Sequence, residues 1–291
     1  MERGRPAGSD RRGSGLKRMK VSAYVPFFNN AGTLQGTVES VLAQGILRED
    51  MCVIDDGSTD DSLKVARRLG VEVRVNDGNR GRGFTRARAT REARHDLILS
   101  CDAGKGFAPD FLTVALPWME DPRVAVVFGR VARRDRGNWV ERWESRHIYK
   151  EGRVGQVNRK ADLNTGGFLA RRSILLSVGN FDERLRHSED AELGARLLSG
   201  GFDVVYDPAL SISPLGRTKL LTLLERYWRW HTGPDEKLDF MGYLRTVVYS
   251  VKVLAKADCA ARDFAGVPIS LFVPHYQFWR NVWRRLGQRR R

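Results

Sequence analysis

The sequence predicts an α/β fold, a sheet wrapped by helices, from two observations. Apolar runs of strand length alternate with stretches of helical period from residue 21 onward, and an acidic, Gly-containing loop follows directly on one of those runs. The first strand is VSAYV at 21–25, followed by Leu34, Val38, Val41 and Leu42 at helical spacing behind Thr33 as a candidate cap. MCVI at 51–54 is the second strand and runs into DDGSTDDS. Leu63, Ala66 and Leu69 mark a helix face, VEVRV at 71–75 a third strand, residues 84–94 a basic helix, and LILSC at 97–101 a fourth strand. This βαβαβαβ rhythm implies parallel strands joined by right-handed crossovers, with a ligand site at their carboxyl ends.

The second half is less regular. VAVVFGRV at 124–131 is a strand, Trp139, Trp143 and Tyr149 belong to an aromatic helix, and NTGGFLARR at 164–172 is a Gly-containing turn. Ser188, with Glu189 and Asp190 behind it, caps a helix carrying Leu193, Leu197 and Leu198. DVVYDP at 203–208 is a strand ended by proline, and beyond Pro214 the pattern turns helical. No internal repeat is present. Three regions follow: a disordered basic arm at 1–18, an α/β domain at 19–215, and a helical, basic, aromatic-rich extension at 216–291.

With 291 residues, 42% of them hydrophobic, the chain can bury a core of enzyme size. Cys52, Cys101 and Cys259 form no CxxC pair, which excludes a disulfide framework or zinc site and fits a reducing compartment. No apolar run approaches the roughly 20 residues that span a bilayer, and no signal-peptide segment opens the sequence. The formal charge of +15 is concentrated at the ends: +5 in residues 1–20, +9 in 216–291, and +1 between them. A neutral body with basic ends fits docking on an anionic surface such as a membrane, or simply solubility.

Asp55 and Asp56, at a strand's carboxyl end, can accept hydrogen bonds from a nucleobase or ribose. The same residues would also serve as an acidic helix N-terminus, and the loop alone does not decide. Residues 78–83, GNRGRG, lack either phosphate-loop spacing and are read as a turn.

The ordered blocks VSAYVPFFNNAGTLQGTVESVLAQ, VIDDGSTDDS, GRGFTRARA, LILSCDAGKGFAPDFL, and the stretch from NTGGFLARR to DVVYDP together resemble glycosyltransferase family 2, over about residues 20–215. The resemblance implies a GT-A fold with a mixed, Rossmann-like sheet, and inverting transfer from a nucleoside-diphosphate sugar to a glycan or lipid-linked hydroxyl in cell-envelope polysaccharide synthesis. It assigns Pro26, Asn29, Asp55, Asp56, Arg88 and Asp102 to the donor, with Arg88 near the diphosphate. It also gives Asp190 as general base beside Glu189, and Asn164, Gly166 and Gly167 as the acceptor-side turn. Trp230, in ERYWRWHTG, matches an aromatic helix that follows the family's catalytic domain and is a further acceptor-side candidate. There Arg226 stands where processive relatives carry Gln, which implies non-processive transfer.

Inverting transfer needs a base for the acceptor proton and positive charge for the departing diphosphate. The sequence departs from the family pattern at two points. Asp102-Ala103-Gly104 has Gly where the second metal-ligating carboxylate belongs, and residues 209–214 lack the usual His. Asp102 alone is a poor ligand set for Mn2+ or Mg2+, so a divalent cation or none are both open, with Arg88, Lys105 or Arg217 as substitute charges. A fold that binds a nucleotide sugar or glycan without turnover is the alternative. A nucleic-acid partner would rest on the basic arm and the basic helix, and the neutral body and the lack of a recognition motif weigh against it. The expected location is cytoplasmic, peripheral on the inner face of the membrane.

Overall fold

The near-continuous apolar runs at 21–27, 51–55 and 97–101 become strands buried on both faces, as expected of a parallel sheet covered by helices, while 72–75 is a more exposed edge strand. In the computed structural model, residues 19–133, 135, 137–151, 155–231 and 240–288 are described; the basic arm read at 1–18 and the basic end at 289–291 lie outside them. Along the chain come β1 (Val21–Phe27), α1 (Leu34–Leu42), β2 (Met51–Asp55), α2 (Ser62–Ala66), β3 (Glu72–Val75), α3 (Arg82–Glu92), β4 (Leu97–Cys101), β5 (Lys105–Phe107) and α4 (Phe111–Ala115). They are followed by β6 (Val124–Val131), α5 (Trp139–His147), β7 (Gly167–Arg171), α6 (Arg172–Ser177), α7 (Glu189–Ser199) and β8 (Asp203–Pro214). The rest is helical: α8 (Leu220–His231), α9 (Phe240–Tyr249), a π-turn (Ser250–Ala255), α10 (Lys256–Ala260) and α11 (Val267–Gln288).

Two compact units result, residues 1–132 with 154–216, and residues 133–153 with 217–291. The first holds one eight-stranded sheet in the order β3-β2-β1-β4-β7-β6-β8-β5. β3, β2, β1 and β4 are parallel, β7 runs antiparallel between β4 and β6, and β5 is antiparallel to β8. Along β1 the period of two is visible in the packing: Val21, Ala23 and Val25 join one core cluster with Val38, Val41 and Leu99, and Tyr24 joins the other with Ile98, Ala87 and Leu193.

The structure corrects three local expectations. Residues 167–171 form a strand, because Phe168 and Ala170 face one cluster and Leu169 the other, a short alternation hidden behind two glycines. Strand β8 does not end at Pro208 but continues to Pro214. Its pairing with β6 is interrupted between Tyr206 and Ser211, so Pro208, which lacks an N–H, falls where the ladder is already irregular. Neither Thr33 nor Ser188 makes a side-chain cap bond; Ser188 is the N-cap residue of α7 but has φ +60°.

The second unit is built around Val140, Trp143, Leu223, Leu224, Tyr227, Leu254, Ile269 and Val273. Helix α5 opens with a reciprocal capping box between Asn138 and Glu141. It is fastened by Arg142 and Arg146 to Asp263, by Arg146 and His147 to Asp258, and by the Trp143 indole N–H to Ser270.

Gly129 lies at the interruption in the β6–β8 ladder, where an added Cβ would sit 2.0 Å from the Leu210 carbonyl oxygen. Gly129→Ala is expected to lower unfolding stability by about 3 kcal/mol, read from urea denaturation midpoints.

Candidate active site

Strands β1, β2 and β4 bring their carboxyl ends to one edge of the first unit. The β1–β2 ladder runs to Phe27 opposite Asp55, whereas the β1–β4 ladder stops at Tyr24 opposite Ser100. β1 and β4 therefore part where the strand order reverses, which in open α/β sheets is where ligands bind. Pro26 lies just beyond the last β1–β4 pair.

The adjacent acids at 55 and 56 have different surroundings. Asp56 is buried and accepts four hydrogen bonds: Asn76 Nδ2 at 2.8 Å, the Arg80 N–H at 3.0 Å and the Thr85 hydroxyl at 3.1 Å on Oδ1, and the Gly81 N–H at 2.9 Å on Oδ2. It fastens the 76–85 turn to the sheet, so the Gly-rich stretch there is a bound turn whose N–H groups are directed at a carboxylate of the protein. The Asp55 carboxylate, buried as well, accepts the Ser58 N–H on Oδ1 at 2.9 Å, its one side-chain hydrogen bond among the described residues. Gly57, at φ +77°, passes so close to the same turn that a Cβ would lie 2.6 Å from the Gly78 carbonyl carbon. Asn29, at φ +54°, accepts the Thr59 N–H at 2.8 Å, and its own N–H donates to Ser58. It ties the loop after β1 to the loop after β2.

The centre of the site is a residue the motif reading passes over. Arg86 on α3 is 1% exposed; its Nη2 donates to Asp102 Oδ1 at 2.5 Å and to the Thr165 carbonyl at 3.3 Å, and its Nε to Glu189 Oε1 at 3.3 Å. Arg88, the expected guanidinium, stands two residues further along the helix, about 200° around it. It bonds Glu92, the Val75 carbonyl and Asn76 Oδ1 instead, securing α3 to β3. One sequence signal could have singled out Arg86: it keeps helical phase with Gly83, Ala87 and Thr90, the small residues of the buried face of α3.

Asp102 also faces the Lys105 ammonium, 3.6 Å from Oδ2, and its N–H donates to the Gly166 carbonyl. A Cβ on Gly166 would come within 2.4 Å of Lys105 Nζ, and one on Gly167 within 2.6 Å of an Ile212 methyl carbon. Both glycines thus make room for protein groups, while the Asn164 side chain accepts the Gly166 N–H and holds the turn. Asp190 is half-buried on the first turn of α7, with Oδ2 3.5 Å from the Thr165 hydroxyl. Arg86 thus bonds Asp102, the Thr165 carbonyl and Glu189 directly, while Lys105 and Gly166 join the network through Asp102 and Asp190 through the Thr165 hydroxyl. Trp230 stands on α8 of the second unit, 54% exposed.

Burial acts against the charge of Asp102, but Arg86, then Lys105 and Arg82, outweigh it and hold the carboxyl well below the usual carboxylate range. Glu189 shifts the other way: burial pushes it up, Arg86 opposes, and Asp190 beside it adds to the push. Burial likewise raises the Cys101 thiol, which is a packing group and no nucleophile. The donor set does not fit a divalent cation of the two-carboxylate kind. Both Asp102 oxygens face cations, Gly104 brings no side chain, Ser213 stands near the place of the family's His, and no three His, Cys, Asp or Glu side chains cluster among the described residues.

Asp56→Ala leaves Asn76, Thr85 and two backbone N–H groups without their acceptor, and is expected to lower stability by about 3 kcal/mol or more in urea denaturation. Asp102 has a depressed folded-state pKa, so its contribution to stability is complete above the unfolded value of about 3.9 and is lost as pH falls through the folded value. Asp102→Asn should therefore flatten the fall of the urea midpoint below about pH 4 while leaving its slope above about pH 5 unchanged.

Comparison with known proteins agrees with this geometry. Residues 22–179 match the family model described as Glycosyl transferase family 2. The pre-mycofactocin glycosyltransferase of Mycobacterium tuberculosis is 26% identical over 224 residues, covering 73% of this chain and 46% of the relative. The succinoglycan biosynthesis protein ExoU of Rhizobium meliloti is 32% identical over 60% of this chain and 55% of its own length. For the poly-β-1,6-N-acetyl-D-glucosamine synthase of Staphylococcus aureus the figures are 23%, 80% and 60%. The chain thus spans about half the length of the curated relatives it matches. Among solved structures, the mannosyltransferase of Pyrobaculum calidifontis, in complex with GDP-Man and Mn2+, superimposes with a TM-score of 0.59 at 17% identity, over 89% of this chain and 74% of that one. GalNAc-T7, with UDP, GalNAc and Mn2+, gives 0.55 at 16%, over 82% and 52%. The first unit has the GT-A fold, and the chain belongs to glycosyl transferase family 2.

Proposed function

We propose that the chain is an inverting glycosyltransferase that moves a sugar from a nucleoside-diphosphate sugar to a hydroxyl of a glycan or lipid-linked acceptor, without a metal ion. The observation that carries this reading is the network at the carboxyl edge of the parallel strands in which Arg86 bonds Asp102 and Glu189, Lys105 faces Asp102, and Asp190 lies against the Thr165 hydroxyl. Asp55, at the carboxyl end of β2, reads the nucleoside, and Pro26 and Asn29 shape the wall beside it. Lys105 and the exposed Arg82, whose charge is felt at both Asp102 and Glu189, face the diphosphate.

Asp190 takes the proton of the acceptor hydroxyl as its oxygen bonds to the anomeric carbon, and the nucleoside diphosphate leaves with the bond's electron pair. Glu189, held beneath Arg86, positions that guanidinium and thereby Asp102. The names of the relatives in succinoglycan and poly-β-1,6-N-acetyl-D-glucosamine synthesis support an acceptor of the polysaccharide kind. Trp230 offers a ring for a sugar of that acceptor.

Asp190→Asn is expected to reduce turnover by about 10²- to 10⁴-fold while nucleotide-sugar binding, followed by calorimetry, stays as in the parent chain; undiminished turnover removes the assignment. Titration with UDP, GDP and their sugars should give the same affinity in EDTA as in Mn2+, and binding that requires Mn2+ would refute the metal-free reading. Lys105→Met should weaken binding of the diphosphates by about tenfold and leave binding of the nucleosides unchanged.

A further inference from the structure

The second unit turns apolar side chains outward on a scale the first does not. No residue of α9 is buried, and Phe240, Met241, Leu244 and Val248 are between 39 and 68% exposed. On α11 the exposed positions Leu271, Phe272, His275, Trp279 and Trp283 recur at helical spacing, with Trp283 72% exposed. These two stripes are joined. Ring contacts run from Phe240 to Tyr243, from Tyr243 to Phe278 and from Phe278 to Trp279, and the Tyr243 hydroxyl bonds His275 at 2.8 Å. A connected aromatic and aliphatic surface of this kind marks an interaction site, where scattered single residues would not.

Its charges identify the occupant. Among residues 240–284 the only acids, Asp258 and Asp263, are buried and bonded to Arg142, Arg146 and His147. The exposed charged side chains of the same stretch, Arg245, Lys252, Lys256 and Arg262, are all cationic. Trp and Tyr rings combined with Lys and Arg, and with no exposed acid among the described residues from α9 to α11, match the interfacial zone of a bilayer whose headgroups are anionic. A second copy of the chain fits poorly, because a two-fold contact would set the same cations against one another. No helix among the described residues is long and apolar enough to cross a membrane, which leaves the surface as the place of contact.

We propose that the α9–α11 face docks on the surface of an anionic lipid bilayer, with Trp279, Trp283 and Phe240 entering the interface and Arg245, Lys252 and Lys256 meeting the headgroups. The proposal gives physical form to the membrane-side acceptor of the transferase reading, and rests on that reading for its role alone.

The full chain should co-sediment with vesicles of phosphatidylcholine mixed with phosphatidylglycerol and not with phosphatidylcholine alone, and added salt should release it. Trp279→Ser with Trp283→Ser should lower vesicle partitioning by at least about tenfold. Lys252→Glu with Lys256→Glu, which leaves the apolar stripe intact, should lower it by a similar factor. Equal binding of these variants, no binding to the anionic vesicles, or a concentration-dependent dimer in light scattering that the tryptophan substitutions dissolve would each overturn the proposal. Nucleotide-sugar titration of the same proteins without vesicles separates the two readings: intact donor binding with absent vesicle binding sinks the docking face and leaves the transferase standing.

Discussion

A single buried cation organises the first unit's functional edge. Moving a guanidinium out of water costs several kcal/mol unless carboxylates and carbonyls replace its hydration, and removing one partner of such a group costs about 3–5 kcal/mol. Arg86 meets that demand with Asp102 at the end of β4, Glu189 at the start of α7, and the Thr165 carbonyl in the turn before β7. The hydroxyl of Tyr24, opposite Ser100 across β1 and β4, lies against the same guanidinium and against the Ser100 hydroxyl. Three segments remote in sequence are thus held at fixed separation by one side chain. The same contact sets the charge of Asp102 and keeps Glu189 inward, leaving Asp190 as the acid of that pair that lies closer to the surface.

The edge beside β2 depends on a parallel division of labour between buried neighbours. Asp56 holds the 76–85 turn, and Asp55 holds its own loop through the Ser58 N–H. Across from them, Asn29 and Asn30 exchange hydrogen bonds with Ser58, Thr59 and Ser62, so the loops after β1 and β2 form one wall. Preorganisation of this kind lets a site bind without first ordering its loops.

The second unit follows a different logic. Beside its apolar core it buries two carboxylates: Asp258 accepts from Ser270, Arg146 and His147, while Arg142 and Arg146 clasp Asp263. Further apolar side chains face outward along α9 and α11, alternating with exposed cations. A connected apolar surface of this kind is rare on a chain that faces only water.

Much of this was legible in the residues. The alternation from Val21 to Cys101 contained four parallel strands: β1, β2 and β4, buried on both faces, are written as apolar runs, and the edge strand β3 as an alternation; the acidic residues after β2, after β4 and at the start of α7 were legible as candidates for a site. The short antiparallel insertion of β7 and the passage of β8 through Pro208 were not legible, since each depends on a neighbouring strand that supplies or withholds hydrogen bonds. Which of two adjacent aspartates serves the fold, and whether Arg86 or Arg88 faces Asp102, were likewise decided by tertiary structure alone. Composition and order in the chain determine which charges a protein owns; the direction in which a helix turns each of them is fixed only when the helix is packed.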